Sequence, residues 1–301
     1  MDARLRTVDE CHRELVARLR GLLGDELIGV YAGGSFALGG FDSYLSDLDV
    51  AAVGAAHVDQ TTKQAIVEAL RHESLPCPAR GLEFVLYAEP VIRSATTEPG
   101  FELNLNSGAR MSFRADNEPG EERHWFAIDR AILAAYGKPL FGPRAGALFA
   151  PIPRGPLLEV VAKAVEWHRD AQVVGSDAVL NACRALRFAA EDVWTSKIAA
   201  GTWALERHEE SRLIARALAA RQSQEPLSSR EVHRISGGSR AQGARGSGSL
   251  AAAMAPRTGE DRSRERSSPF RGCGLVAVAA RRRVAAAAAL GGGLLDLGSG
   301  G

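Results

Sequence analysis

The feature that most constrains this chain is a Gly-Ser turn set between two apolar runs and followed by an Asp-x-Asp pair. It reads Gly33-Gly34-Ser35-Phe36-Ala37-Leu38-Gly39-Gly40, then Ser46-Asp47-Leu48-Asp49-Val50. Leu27 to Ala32 precedes it as a core strand, and residues 46–53 make a second strand. Alternate residues of a strand project to one side, so Asp47 and Asp49 aim two carboxylates at one point. Such a pair repels itself unless a cation lies between, and carboxylate oxygens suit a hard divalent ion such as magnesium. Glycines let the backbone approach a phosphate, and Ser35 adds a hydroxyl and an amide donor. The stretch describes a place for a nucleoside triphosphate and its metal. Taken singly, an Asp-x-Asp is commonly a solvated surface pair and a Gly-Gly-Ser only a turn, so the ordered combination carries the reading.

Around this motif the pattern is mixed. Leu5, Val8, Leu15, Leu19 and Leu22 recur at helical spacing, predicting an amphipathic helix over 4–23. Ser35 to Leu38 begins a short helix whose free N–H groups would face phosphates. A helix over 58–71 and a third strand over 82–87 follow. Residues 91–123, rich in Gly and Pro, read as an edge strand near 102–106 and then a mobile loop. A helix is expected over 124–136, with a turn-rich connection at 137–143. Pro151 to Pro156 reads as a boundary, and helical patterns at 157–169, 177–191 and 199–218 come after it. The fold class expected is α+β: a mixed sheet with flanking helices over 1–150, then a helical bundle over 151–222.

From about residue 223 the composition changes. Every Trp, Tyr and Lys occurs at or before Trp203, and the tail is largely Arg, Gly, Ser and Ala. It reads as low-complexity and disordered, as a basic arm, or as a segment translated out of frame. The stretch from Ile235 to Arg240 can be encoded so that a one-nucleotide shift gives Phe-Leu-Ala-Glu-Val, a fitting piece of a final helix. The formal net charge of +1 gives no global reason to expect nucleic acid, and the N-terminus does not read as a signal peptide. No apolar stretch of the tail would span a membrane. Cys11, Cys77, Cys183 and Cys273 are scattered, so reduced thiols are expected, without disulfides or zinc.

The third predicted strand places one acid, Glu83, among Leu82, Phe84, Val85 and Leu86. With Asp47 and Asp49 it would complete a metal and general-base constellation. This arrangement resembles the nucleotidyltransferase superfamily, whose signature is Gly-Ser followed roughly a dozen residues later by Asp-x-Asp. The likeness extends to bacterial aminoglycoside nucleotidyltransferases of the streptomycin/spectinomycin adenylyltransferase type. Trp125 to Leu133 is similar to a family helix, and Leu180 to Arg184, Ser196-Lys197 and Gly201 to Leu205 are similar to its helical domain.

That resemblance implies Mg2+ and ATP, with Asp47, Asp49 and Glu83 as metal ligands and catalytic groups and Glu83 as the base. It implies nucleotide contacts from Gly34, Ser35, Ser46, Asp49, Asp129 and Lys197. Trp167, Asp170 and Asp177 are the candidates for a polycationic aminocyclitol. Against these roles, Trp167 could be ordinary core, Asp177 could cap a helix, and His168 reads as structural or surface. The expected protein is a cytoplasmic monomer acting on a small molecule, with neither nucleic acid nor membrane as partner. Two other readings keep the nucleotide site: a minimal nucleotidyltransferase modifying a protein or nucleic acid end, and an inactive nucleotide or drug binder.

Overall fold

The computed structural model describes residues 7–118, 120, 123–170, 175–207 and 211–223. Apart from Ser223, the tail at 223–301 lies outside the described residues, as do the readings made on it. No helix among the described residues is long and apolar enough to cross a membrane.

Helix α1 (Val8–Leu23) starts later than the apolar pattern suggests because Thr7 caps it. The Thr7 side chain accepts from the Glu10 N–H, and the Glu10 carboxylate accepts from the Thr7 N–H. This reciprocal pair satisfies two donors that the first turn leaves free. Cys11, Leu15, Leu19 and Leu23 then recur on one face and are buried.

Six strands form one sheet: β1 (Leu27–Ala32), β2 (Leu48–Gly54), β3 (Leu82–Ala88), β4 (Phe101–Gly108), β5 (Met111–Asp116) and β6 (Lys138–Phe141). Their order is β5-β4-β3-β2-β1-β6. Only β2 and β3 run parallel; the other neighbours are antiparallel. The parallel register sets Asp49 opposite Glu83. Between β2 and β3 the chain crosses over through helix α3 (Gln60–Leu70), capped by Asp59.

The sheet has two apolar faces. Val30, Val50, Ala52, Phe84, Leu86 and Leu105 pack beneath α1 and α3. Tyr31, Ala51, Val53, Tyr87 and Phe101 meet Leu133 and Phe149 on the other side. Asp49 and Glu83 stand an even number of residues from Ala51 and Tyr87, so they share this second face with helix α5 (His124–Tyr136).

A third core joins α5 to helices α7 (Arg154–Asp170), α8 (Ser176–Glu191), α9 (Lys197–Leu205) and α10 (Ser211–Ser223). Ala127, Ile128, Ala131 and Ile132 of α5 enter it, so α5 is shared between the sheet layer and the helical layer. Three short helices, α2 (Gly34–Ala37), α4 (Glu89–Ile92) and α6 (Ala145–Leu148), and a single 3-10 turn at Gly24–Glu26 complete the described elements.

Several expectations are corrected. The stretch 91–123 is not chiefly loop: β4 is an interior strand, and the exposed edge belongs to β5. Its polar residues misled because Glu102 is buried yet paired, its carboxylate accepting from Lys63 Nζ at 2.8 Å and meeting His57. The connection at 137–143 contains β6, which pairs with β1. The helix expected over 199–218 is two helices, with Gly201 packed against Leu180 and Leu218 where a Cβ would collide. Asp47 lies just before β2 rather than within it. Cys11 and Cys77 form a disulfide with Cα atoms 5.5 Å apart, so these two thiols are not reduced; Cys183 is free and buried. A separation of 66 residues conceals such a pair until α1 and the loop before β3 are folded together.

Candidate active site

The turn after β1 is built around Asp49. The Gly33 N–H donates to the Asp49 carbonyl at 2.8 Å, tying the turn to β2. Gly34 adopts φ +46°, and a Cβ there would lie 1.8 Å from Asp49 Oδ2. Only glycine combines that left-handed conformation with so close an approach. The Ser35 N–H donates to the Asp49 carboxylate. The Ser35 Oγ is buried without a partner. A buried hydroxyl left this way costs free energy unless something else binds it, which marks the turn as a receptor for a polar ligand.

Ser46 is also buried, and its hydroxyl accepts from the Asp42 N–H at 3.1 Å. Asp42 in turn accepts from the Tyr44 and Leu45 amides. The Ser46 oxygen is thus engaged within its own turn.

Carboxylates dominate the sheet side. Burial, then the charge of Asp47, push the Asp49 carboxyl up to about 6, against the pull of Arg184 and Lys197. Burial and the charges of Asp49, Asp47 and Asp129 raise Glu83 well above the usual carboxylate range. Asp129, on α5, is pushed to about 7 by burial and by Asp49, with Arg184 opposing. These mutual effects place Asp47, Asp49, Glu83 and Asp129 in one electrostatic centre.

As the side chains stand, no three His, Cys, Asp or Glu among the described residues gather closely enough to hold a metal ion. The reason lies partly at Asp47, which Arg80 grips with both ends of its guanidinium, Nε at 2.7 Å and a terminal nitrogen at 2.5 Å. The donor chemistry nevertheless suits magnesium: the convergent groups are all carboxylate oxygens, beside a glycine cradle and an unpartnered hydroxyl.

The helical layer supplies cations. Lys197 Nζ lies 3.1 Å from Asp177 Oδ1, and Arg221 of α10 reaches the same oxygen at 2.6 Å. Burial lowers the Lys197 pKa, and Arg221 and Arg184 act in the same sense, while Asp177 opposes. The Arg184 Nε is buried without a partner. Lys197 follows Ser196, the cap of α9, and a Cβ on Gly40 would lie 2.4 Å from Ser196 Cβ. The glycine-rich turn therefore seats directly against the start of α9 and brings Lys197 to the acidic centre.

The structure thus brings Asp47, Asp49, Glu83, Asp129 and Lys197 together, with Gly34 and Ser35 beside them. Asp177 joins them by pairing with Lys197 and Arg221 and does not cap α8, whose cap is Gly175. Trp167 is 37% exposed rather than core, and meets Trp125 edge-on at 5.9 Å between centroids. The Asp170 side chain lies outside the described residues. His168 is partly buried, with Nε2 2.8 Å from Asn181 Nδ2, and burial followed by the charge of Lys197 pushes its pKa down to about 4. A neutral His168 helps line a pocket with Trp125, Val161, Asn181, Arg184 and Trp194.

Sequence reasoning missed Arg80, Arg184 and Arg221 as site residues. Arg184 ends a segment already singled out, and Arg80 stands three residues before Glu83. Arg221 carried no local signal, since its partner Asp177 is 44 residues away.

Residues 147–235 match the family model for the C-terminal domain of aminoglycoside adenylyltransferases. Among solved structures, the spectinomycin adenyltransferase AAD(9) from Enterococcus faecialis, crystallised with ATP and spectinomycin, is 18% identical with a TM-score of 0.56. The match covers 70% of this chain and 88% of that one. A toxin–antitoxin structure with AMP-PNP is 15% identical, covers 54% of this chain and 92% of its own, and has a TM-score of 0.27. No curated protein sequence gives a significant match. The chain therefore resembles aminoglycoside nucleotidyltransferases and shares the nucleotidyltransferase fold.

Proposed function

We propose that this protein transfers AMP from ATP to a hydroxyl of an aminoglycoside or aminocyclitol, streptomycin or spectinomycin, releasing pyrophosphate. The observation that carries the reading is the apposition of Asp47, Asp49, Glu83 and Asp129 with Lys197 and Arg184 around the Gly34-Ser35 turn. The family match over the helical layer favours a small cationic acceptor over a protein or nucleic acid end. In this reading residues 1–150 form the catalytic unit and 151–222 the unit that closes over nucleotide and drug.

Ser35 and the neighbouring amides hold the outer phosphates, using the hydroxyl that otherwise has no partner. Asp47 and Asp49, with Glu83, would hold magnesium, which would supply positive charge to offset that of the triphosphate. Lys197 and Arg184 contact the phosphates from the helical side, and Asp129 receives the nucleoside. Glu83 takes the acceptor proton: the hydroxyl oxygen bonds to the α-phosphorus, the bond to the bridging oxygen breaks, and pyrophosphate leaves. A divalent cation bound beside it would favour the ionised form of Glu83, leaving the carboxylate free to accept that proton. Trp167 and Asp177 are the candidate aromatic and anionic contacts for the drug, with Asp170 a candidate from the sequence alone.

The test is mass spectrometry of streptomycin and spectinomycin after incubation with the protein, ATP and Mg2+. A drug heavier by one adenylyl group is expected. ATP binding without any adenylylated drug would instead identify an inactive binder.

A further inference from the structure

We propose that Arg80 is a built-in counter-cation of the acidic centre, whose guanidinium must leave Asp47 before a divalent metal can bind there. The inference rests on the reading of Asp47 as a metal ligand.

Both Asp47 oxygens accept from Arg80, and the same guanidinium lies 3.9 Å from Glu83 Oε1. One side chain therefore spans two of the three acids that would otherwise share an ion. A planar fork matched to a carboxylate is among the stronger charge-assisted contacts, so a metal has to compete with it. The contact is also placed so that it can be given up. The Arg80 backbone N–H donates to the Ser46 carbonyl at 3.0 Å, so its main chain stays in place whatever the side chain does. The Arg80 side chain is 44% exposed, which leaves it a way out into solvent. Glu83 and, from α8, Asp177 are the other acids whose charges act on it, so a displaced guanidinium keeps anionic neighbours. In the absence of metal, Arg80 holds apart the repulsion between Asp47, Asp49 and Glu83.

The experiment is titration of the full chain with Mn2+ alone, read by electron paramagnetic resonance of the free ion. Wild type is compared with Arg80→Ala, Arg80→Lys and Asp47→Asn/Arg80→Ala. Arg80→Ala should bind Mn2+ about tenfold more tightly than wild type, the equilibrium equivalent of one charge-assisted contact no longer competing. Arg80→Lys, which keeps the charge but loses the fork, should fall between them, and the double variant should lose the gain. A merely structural role for Arg80 would weaken metal binding. Unchanged or weaker Mn2+ binding in Arg80→Ala, with ATP still bound by wild type in calorimetry, would overturn the role of Arg80 alone. If wild type binds neither Mn2+ nor ATP, the nucleotide-site reading falls with it.

Discussion

Replacing Asp129 by asparagine should stabilise the ligand-free protein near neutral pH and have a much smaller effect in mild acid. Asparagine keeps the shape and hydrogen-bonding capacity of the side chain but never ionises. In the folded protein the Asp129 carboxyl is raised from 3.8 to about 7 by burial and by Asp49. Because the folded value lies above the unfolded one, the folded state holds the proton more tightly. The stability this gives is complete below 3.8 and is lost as pH rises through about 7. A shift of roughly three units corresponds to about 4 kcal/mol, at about 1.36 kcal/mol per unit. Asp129 keeps partial solvent contact, so water relieves part of the penalty and about 2 kcal/mol is the better expectation. Urea unfolding followed by tryptophan fluorescence, at about pH 5 and about pH 8, reads the difference directly. The stability gap between Asp129→Asn and wild type should widen by about 1–2 kcal/mol between those conditions. A gap independent of pH would show that Asp129 is not under electrostatic strain, and would remove it from the acidic centre.

Other consequences are as specific. Gly34→Ala drives a Cβ into the Asp49 carboxylate in a left-handed backbone, so it should cost about 1–3 kcal/mol and remove ATP binding measured by calorimetry; wild-type ATP affinity would contradict the cradle. Cys11→Ser opens a disulfide closing a 66-residue separation and should cost about 4 kcal/mol on the chain-entropy model, matched by wild type under reductant. No change in the unfolding midpoint would mean that the cross-link contributes nothing. The gene's nucleotide sequence bears on the tail: the family match ends at residue 235, where the proposed frame change begins. A shifted frame there should encode Phe-Leu-Ala-Glu-Val and a continuing amphipathic helix, and a shifted frame without an apolar-periodic helix removes the idea.

The sheet and its acids were legible because local rules and tertiary demands agree there. The apolar runs Leu27–Ala32 and Val50–Val53 could only be core, and the two-residue period fixed the side on which Asp49 and Glu83 emerge. Less could be read where polar residues find distant partners. Glu102 and Asn104 argued for an edge strand, yet Glu102 is balanced by Lys63 and His57 and the strand runs through the sheet interior. Arg80 illustrates the same limit at the site. Its place before Glu83 was visible, but its choice of Asp47 depends on how the 77–80 loop meets the end of the 42–46 turn. The joining of Cys11 to Cys77 likewise follows from the packing of α1 and cannot be inferred from spacing.

The central claim is that the apposed acids and cations carry out adenylyl transfer with Glu83 taking the proton. Pyrophosphate release from Mg2+ and ATP, measured with streptomycin and with spectinomycin for wild type and Glu83→Gln, tests it most directly. Drug-dependent release is predicted for wild type with at least one of the two, falling by about a hundredfold or more in Glu83→Gln. Release by Glu83→Gln at the wild-type rate, or none by a wild type that binds ATP, would contradict it.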